Sequence, residues 1–88
     1  RIPGSRVVLV NGEPALYLSR KRLVTLPAAQ RDDDTLLRAV TCLKTSLGFD
    51  RITISELNGD KPDQSPMMPR LLDAGFERDW KGIALSGR

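Results

Sequence analysis

Two apolar segments flank a turn pair in the sequence RVVLVNGEPALYL, which occupies residues 6–18. The pair Asn11-Gly12 tolerates the positive φ angles of a tight two-residue hairpin turn. Neither flanking segment alternates between apolar and polar residues, as a strand with one solvent-exposed face does. We therefore predict a β-hairpin whose sheet needs cover on both faces, and the rest of the chain has to supply at least one of those covers.

The composition is that of one small globular domain. The 88 residues are 40% hydrophobic and 28% charged, with a formal net charge of +3, which permits an acidic or nucleic-acid partner without requiring one. Cys42 is the single cysteine, so no internal disulfide can form, and a cytoplasmic location without a membrane segment is expected. The chain begins with Arg1 rather than Met, so we expect a domain, residues 1–88, cut from a larger protein.

A third strand and a long helix follow the hairpin. Residues 1–5 form an irregular lead-in because of Pro3-Gly4. Residues 23–26 are predicted as a strand that Pro27 ends, and residues 28–31 as a linker. Asp33 or Asp34 is expected to cap the main helix. Gly48 closes that helix, and Phe49 is expected to pack back over its last turn. Its apolar stripe consists of Leu36, Val40, Leu43 and Leu47, widened by Leu37 and Ala39.

The second half of the chain predicts a strand, a helix and a closing hairpin. Residues 51–57 alternate as a half-buried strand does. The second helix begins either at Ser65-Pro66 or near Met68, and it ends at Gly75 with Phe76 folding back. Residues 76–78 and 82–85 can pair around the turn at 79–81. The predicted fold is therefore α+β with a mainly antiparallel sheet, in the order β-β-β-α-β-α-β, with the first of two helices packed on one sheet face.

The residue types exclude several kinds of active site. Without histidine and with one cysteine, the chain cannot build a zinc site or a Ser-His-Asp triad. Asp32-Asp33-Asp34 fits a helix start better than a cation site, since the oxygen ligands that calcium needs are not there. Asp60 and Asp63 are expected to be solvated loop residues. Cys42 is expected to be partly buried and inert.

Two features can contact a partner. A basic turn at Arg20, Lys21 and Arg22, with Arg6 nearby across the sheet, can bind phosphates, although most such turns are merely solvated. Trp80 can stack on a base or dock on another domain, although we expect it to close the core of its own domain. Tyr17 is a docking residue if one sheet face stays open, and a core residue if the sheet curls into a half-barrel.

Several segments, taken in order, resemble the C-terminal segment of the long bacterial Lhr (large helicase-related) proteins. That segment combines a valine-rich strand, Asp/Asn-Gly, Leu-Tyr, Ser-Pro, a leucine pair, Ala-Gly-Phe and a Gly-Leu-x-Leu-like ending. The corresponding residues here are Pro3-Gly4-Ser5-Arg6-Val7-Val8-Leu9-Val10-Asn11-Gly12-Glu13-Pro14, Leu16-Tyr17-Leu18, Asn58-Gly59, Ser65-Pro66, Leu71-Leu72-Asp73-Ala74-Gly75-Phe76 and Lys81-Gly82-Ile83-Ala84-Leu85.

The resemblance implies an accessory role within a larger enzyme. The alternative is a protein-interaction module with no nucleic-acid role. Lhr-like proteins are ATP-dependent DNA helicases with RecA-like motor domains, winged-helix and barrel modules, and they are associated with DNA repair. The parent would use ATP and magnesium, whereas no cofactor is expected in this chain. Partners would be the preceding domains and single-stranded DNA or an RNA–DNA hybrid. Uracil-DNA glycosylase activity is attributed to that C-terminal region, but residues 83–88 carry no acid, and Asp73 and Asp79 are the nearest.

Overall fold

The computed structural model describes residues 5–87, so the predicted lead-in with Pro3-Gly4 lies mostly outside the described residues. The strands and helices follow one another as β1 (Ser5–Val10), β2 (Glu13–Ser19), β3 (Arg22–Thr25), α1 (Pro27–Arg31), α2 (Asp33–Leu47), β4 (Arg51–Ile54), β5 (Glu56–Leu57), a 3₁₀ helix (Pro62–Gln64), α3 (Met68–Ala74), β6 (Glu77–Asp79) and β7 (Gly82–Ser86). This confirms the predicted α+β class.

The predicted hairpin is confirmed. Strands β1 and β2 pair antiparallel, and the turn residues Asn11 and Gly12 have φ angles of 53° and 81°, as a tight turn of this kind requires. The register shifts between Val8 and Leu9, so Ala15 is an additional residue in β2. Both Ala15 and its neighbour Leu16 are fully buried, because a β-bulge can direct two successive side chains toward the same side.

In the described part of the chain, two sheets replace the single predicted sheet. The first sheet has the order β1-β2-β3-β5, with β5 parallel to β3, and the second has the order β4-β7-β6, which is antiparallel throughout. The predicted strand over residues 51–57 divides at Ser55. The Ser55 and Glu56 amides both donate to the Lys21 carbonyl, so the chain leaves one sheet and joins the other at that point.

Helix α2 provides the core for both sheets. The predicted stripe residues Leu36, Val40, Leu43 and Leu47 are buried in one cluster with residues of both sheets, including Leu16, Leu23, Ile54 and Ile83. Leu37 does not widen this stripe, since its side chain is 47% exposed. The helix closes at Gly48 with φ 61°, as predicted. The expected packing of Phe49 was wrong, because this side chain is 84% exposed.

Residues 28–31 were predicted as a linker, and this was wrong, because they belong to α1. Pro27 fits the first turn of that helix, where no backbone N–H is needed. Ala28 and Ala29 are buried, so small side chains let this short helix approach the core closely. Residues 5–87 therefore contain three α-helices rather than two.

Helix α3 also contributes to the core, and it begins at Met68 rather than at Ser65. The Ser65 hydroxyl still accepts a hydrogen bond from the Met67 amide, at 3.2 Å, so it satisfies one amide just before the helix. The helix ends at Gly75, and Phe76 folds back and is buried, with its amide donating to the Leu71 carbonyl. The closing hairpin of β6 and β7 is confirmed.

Candidate interaction surfaces

One face of the first sheet is apolar and open to solvent. Side chains alternate along a strand, and antiparallel partners share a face. The register aligns Val7 with Tyr17 and Tyr17 with Val24, and Leu9 lies on the same face as Val7. We call these four residues the outer apolar face. Val7 and Leu9 are 53% and 54% exposed, and Tyr17 and Val24 are half-buried.

The opposite face of the same strands is fully covered. Leu16 and Leu18 of β2 are buried against α2 and the rest of the core. The alternative in which the sheet curls and buries both faces is therefore wrong, and Tyr17 is not a core residue. Helix α2 covers one face only, and the outer apolar face is what the fold leaves open.

The expectation that Trp80 closes the core was wrong. It occupies the turn between β6 and β7, and its side chain is 88% exposed. Phe76, which precedes β6, belongs to the buried core instead. The Lys81 Nζ atom lies 4.7 Å from the centre of the Trp80 ring, which is a cation–π distance. Trp80 is therefore a candidate contact residue, which was the alternative prediction. It is distant in sequence from the outer apolar face.

The basic turn is formed as predicted, but its three cations differ in their surroundings. Arg20 and Lys21 form the turn between β2 and β3, and Arg20 has a positive φ of 56°, which is uncommon for a residue other than glycine. Arg22 begins β3 and pairs with Glu56, with 3.5 Å between Nε and Oε2. Within residues 5–87 the side chains of Arg20 and Lys21 have no such partner. They are the two cations of this turn that can reach a phosphate without breaking an ion pair.

Arg6 lies at the same end of the first sheet but faces a different neighbour. Its partner position on β2 is Leu18, close to the basic turn. The side chain reaches the C-terminal part of α2, where Nη1 donates to the Ser46 hydroxyl at 3.1 Å. The backbone of Arg6 therefore lies near Arg20 and Lys21, while its guanidinium is directed toward Ser46 of α2.

The three aspartates at the start of α2 have structural roles. Asp32, rather than the predicted Asp33 or Asp34, is the cap, because its carboxylate accepts from the Asp34 amide and from the Thr35 hydroxyl. The Thr35 hydrogen bond, with that of the Asp34 amide, lowers the pKa of Asp32. Asp33 pairs with Arg70 at 2.7 Å. Among residues 5–87, no three His, Cys, Asp or Glu side chains cluster as metal ligands do.

Sequence reasoning missed a groove between β1 and α2. Two adjoining cavities of about 480 and 450 Å³ share Leu9 and Cys42 in their lining. Cys42 was expected to be partly buried, and this was wrong, because it is exposed in the groove. A usable signal was present in the sequence: residues 7–10 of β1 carry neither a charge nor a proline, although charges and prolines are what usually protect a strand at a sheet edge.

The chain gives no significant match to a protein-family model, a curated protein or a solved structure. Among residues 5–87, no helix is both long enough and apolar enough to cross a membrane.

Proposed function

We propose that this chain is a non-catalytic accessory domain of an Lhr-like ATP-dependent DNA helicase involved in DNA repair. In this proposal it is the C-terminal domain of a cytoplasmic protein, and ATP and magnesium bind to the motor domains of the parent. The resemblance in residue order supports the identity of the parent. The exposed outer apolar face carries the proposed role, which is to dock on a preceding domain.

The two faces of the first sheet differ in how their apolar side chains are covered, and this difference supports docking. A small domain buries its apolar side chains where its own elements allow, and α2 does this for Leu16 and Leu18. Val7 and Leu9 lie side by side on the other face and are more than half exposed. Contiguous apolar patches of this kind mark protein contacts more often than isolated exposed residues do. A preceding domain of the same chain is the partner that the resemblance supplies.

The test measures association of this domain with the rest of its parent chain. Tyr17→Asp and Val24→Asp place a carboxylate on the outer apolar face, and we expect each to weaken binding by about tenfold or more, as charges in an apolar interface do. Thr53→Asp is the matched control, since Thr53 lies on the outer face of the second sheet. Thermal melts verify that each variant is folded. Wild-type affinity in both outer-face variants would contradict docking through this face.

A second candidate function is contact with single-stranded nucleic acid, and the unpaired cations Arg20 and Lys21 favour it. Two phosphate contacts would give log K a slope against log salt of about −1.4, at about −0.7 for each phosphate on a single strand. Arg20→Asn removes the charge with a residue that tolerates positive φ, and Lys21→Ala removes the second charge. Fluorescence anisotropy should show the slope fall toward zero in the double variant. An unchanged slope would exclude this turn as the contact.

A further inference from the structure

The edge of the first sheet at β1 has unsatisfied hydrogen-bonding capacity. The strand order places β1 at the edge. Val10 and Glu13 flank the two-residue turn, so they exchange hydrogen bonds, and alternate residues of β1 direct their N–H and C=O groups toward β2. The N–H and C=O groups of Val7 and Leu9 therefore point away from the sheet. Pro14 lies opposite Leu9 and has no N–H to offer it.

This edge is unlike the others in the described part of the chain. β5 is only two residues long, β6 carries Glu77, Arg78 and Asp79, and β4 begins with Arg51. Charges and short length are devices that keep an edge from pairing with another strand. β1 has six residues, and its last four, residues 7–10, have only apolar side chains.

The groove beside β1 provides a floor for an added strand. A strand paired with Val7 and Leu9 would continue the first sheet across the exposed side of α2. There it would cover Leu37, Thr41 and Cys42, which line the groove. The residues of the added strand that point away from α2 would extend the outer apolar face beside Val7 and Leu9. An added strand therefore needs apolar side chains on its outer face and at its centre.

The charges at the groove select among possible strands. Arg6 lies at one end and Arg38 at the other, and the residues of the chain that line the two cavities include no Asp or Glu. Asp34 pairs with Arg38 at 3.0 Å, but both side chains are more than 60% exposed, so this pair is weak. A second copy of β1 paired about Val8 would bring its own Arg6 beside Val10, at the end where Arg38 lies. Like charges therefore disfavour self-pairing, and acidic residues are favoured.

We propose that β1 binds an extended segment of a protein partner by strand addition, and that this segment is apolar with an acidic residue near each end. The apolar positions lie beside Val7, Val8 and Leu9. The two acidic side chains face α2 and pair with Arg6 and Arg38. The inference rests on the proposed function only in that the partner is a docked protein.

The experiment uses the chain itself and the synthetic peptide Thr-Glu-Val-Val-Val-Glu-Thr, with Thr-Lys-Val-Val-Val-Lys-Thr as the charge control. Calorimetry should show binding of the acidic peptide, weakened by added salt, and about tenfold weaker binding of the lysine peptide. Amide exchange should slow at Val7 and Leu9 when the acidic peptide is bound. Equal binding of both peptides, no binding, or unchanged exchange at Val7 and Leu9 would overturn the proposal.

Two variants at one position separate the backbone contact from the side chain. Leu9→Pro removes the outward N–H without removing a hydrogen bond to β2, and should weaken acidic-peptide binding about tenfold. Leu9→Thr keeps the N–H and should change binding by no more than about threefold. If Leu9→Pro does not fold, amide exchange in the wild-type chain decides the question.

Sedimentation showing a dimer through β1 would replace the partner strand with a second copy and overturn the proposal. Docking through Tyr17 and Val24 is tested separately, so failure of the strand-addition proposal would not contradict it.

Discussion

The outer faces of the two sheets are completed in opposite ways. The outer face of the first sheet carries Val7, Leu9, Tyr17 and Val24, and it has no charged side chain over its centre. The outer face of the second sheet is covered by Arg51 of β4, whose side chain crosses β7 to reach Glu77 and Asp79 of β6. Since both sheets pack their inner faces on one core, the difference between them lies in their outer faces.

The outer face of the second sheet is solvent-exposed and carries charged side chains. The Arg51 guanidinium lies 3.8 Å from a Glu77 oxygen and 3.7 Å from an Asp79 oxygen, and it donates to the Ser86 hydroxyl at 3.0 Å. Ala84, in the central strand beneath this side chain, is fully buried. A long side chain thus shields the backbone with its stem and presents charge to solvent. Within residues 5–87 the first sheet has the Arg22–Glu56 ion pair at its β3–β5 side but no charged side chain across Val7 and Leu9, and this contrast favours a protein partner there.

The largest expected effect concerns the core that the two sheets share. Leu43→Ala should lower the free energy of unfolding by about 2–5 kcal/mol, because Leu43 is fully buried beneath both sheets and truncation leaves a cavity. Leu37→Ala on the same helix is the control, with an expected loss of about 0.5 kcal/mol or less. Denaturant melts provide the measurement. Similar losses for both variants would show that α2 does not separate a buried side from an open one.

A smaller effect is expected from the polar outer face. Arg51→Ala removes ion pairs with an exposed Glu77 and a more buried Asp79, at 3.8 and 3.7 Å. Because the Arg51 side chain is itself 46% exposed, we expect a loss of about 1 kcal/mol or less. The loss should shrink at high salt, where such pairs are screened. Arg51→Met retains much of the stem and should recover part of any remaining loss. A difference between wild type and Arg51→Ala that is independent of salt would mean that packing over Ala84, rather than charge, is what Arg51 contributes.

The outer apolar face should tolerate polar substitution in the isolated chain. Val7→Thr combined with Leu9→Thr should change the free energy of unfolding by about 0.5 kcal/mol or less, because both side chains are already exposed and threonine suits a strand. The same double substitution should reduce binding to the preceding domains. A loss of stability comparable to that of Leu43→Ala would mean that this face is part of the core, and the contrast between the two sheets would disappear.

A pH-dependent effect concerns the start of the helix that both sheets share. The pKa of Asp32 is lowered from its ordinary 3.8 by the Thr35 hydroxyl and the Asp34 amide. The stabilisation that this carboxylate provides is therefore fully present above the ordinary pKa and is lost as pH falls through the lowered value. Asp32→Ala should destabilise the chain at neutral pH, and the difference from wild type should vanish in strong acid. A difference independent of pH would exclude the charged cap.

The elements with strong local signals could be predicted from sequence, and those that depend on tertiary contacts could not. Asn11-Gly12 determines its turn locally, and the spacing of Leu36, Val40, Leu43 and Leu47 defines a helical face. Residues 28–31 have no such pattern, since α1 is a single short turn held by buried alanines. The division of the predicted strand at Ser55 depends on hydrogen bonds to the distant Lys21 carbonyl. Local sequence patterns do not predict such long-range hydrogen bonds.

The candidate contact residues were harder to predict, because exposure depends on what occupies the neighbouring volume. Phe49 and Trp80 are large and apolar, and burial is the usual expectation for such residues. Each lies in or beside a turn, and both are more than 80% exposed. The basic turn was predictable, since its cations are adjacent in sequence. The uncharged residues 7–10 indicated that β1 is an unprotected sheet edge, but the groove itself was not predictable, because it joins residues of β1 and α2 that are about 30 to 40 positions apart in the chain.

The most direct test of docking through the outer apolar face measures the accessibility of each sheet's outer face in the parent protein. One cysteine is placed at Val7 of the first sheet or at Glu77 of the second, with Cys42→Ser removing the exposed native thiol. Maleimide labelling rates are compared between the isolated domain and the full-length parent. We predict that the thiol at position 7 reacts about tenfold or more slowly in the parent, as for a site buried by docking, while the rate at position 77 is unchanged. Equal rates at position 7 in both proteins would contradict docking through the outer apolar face.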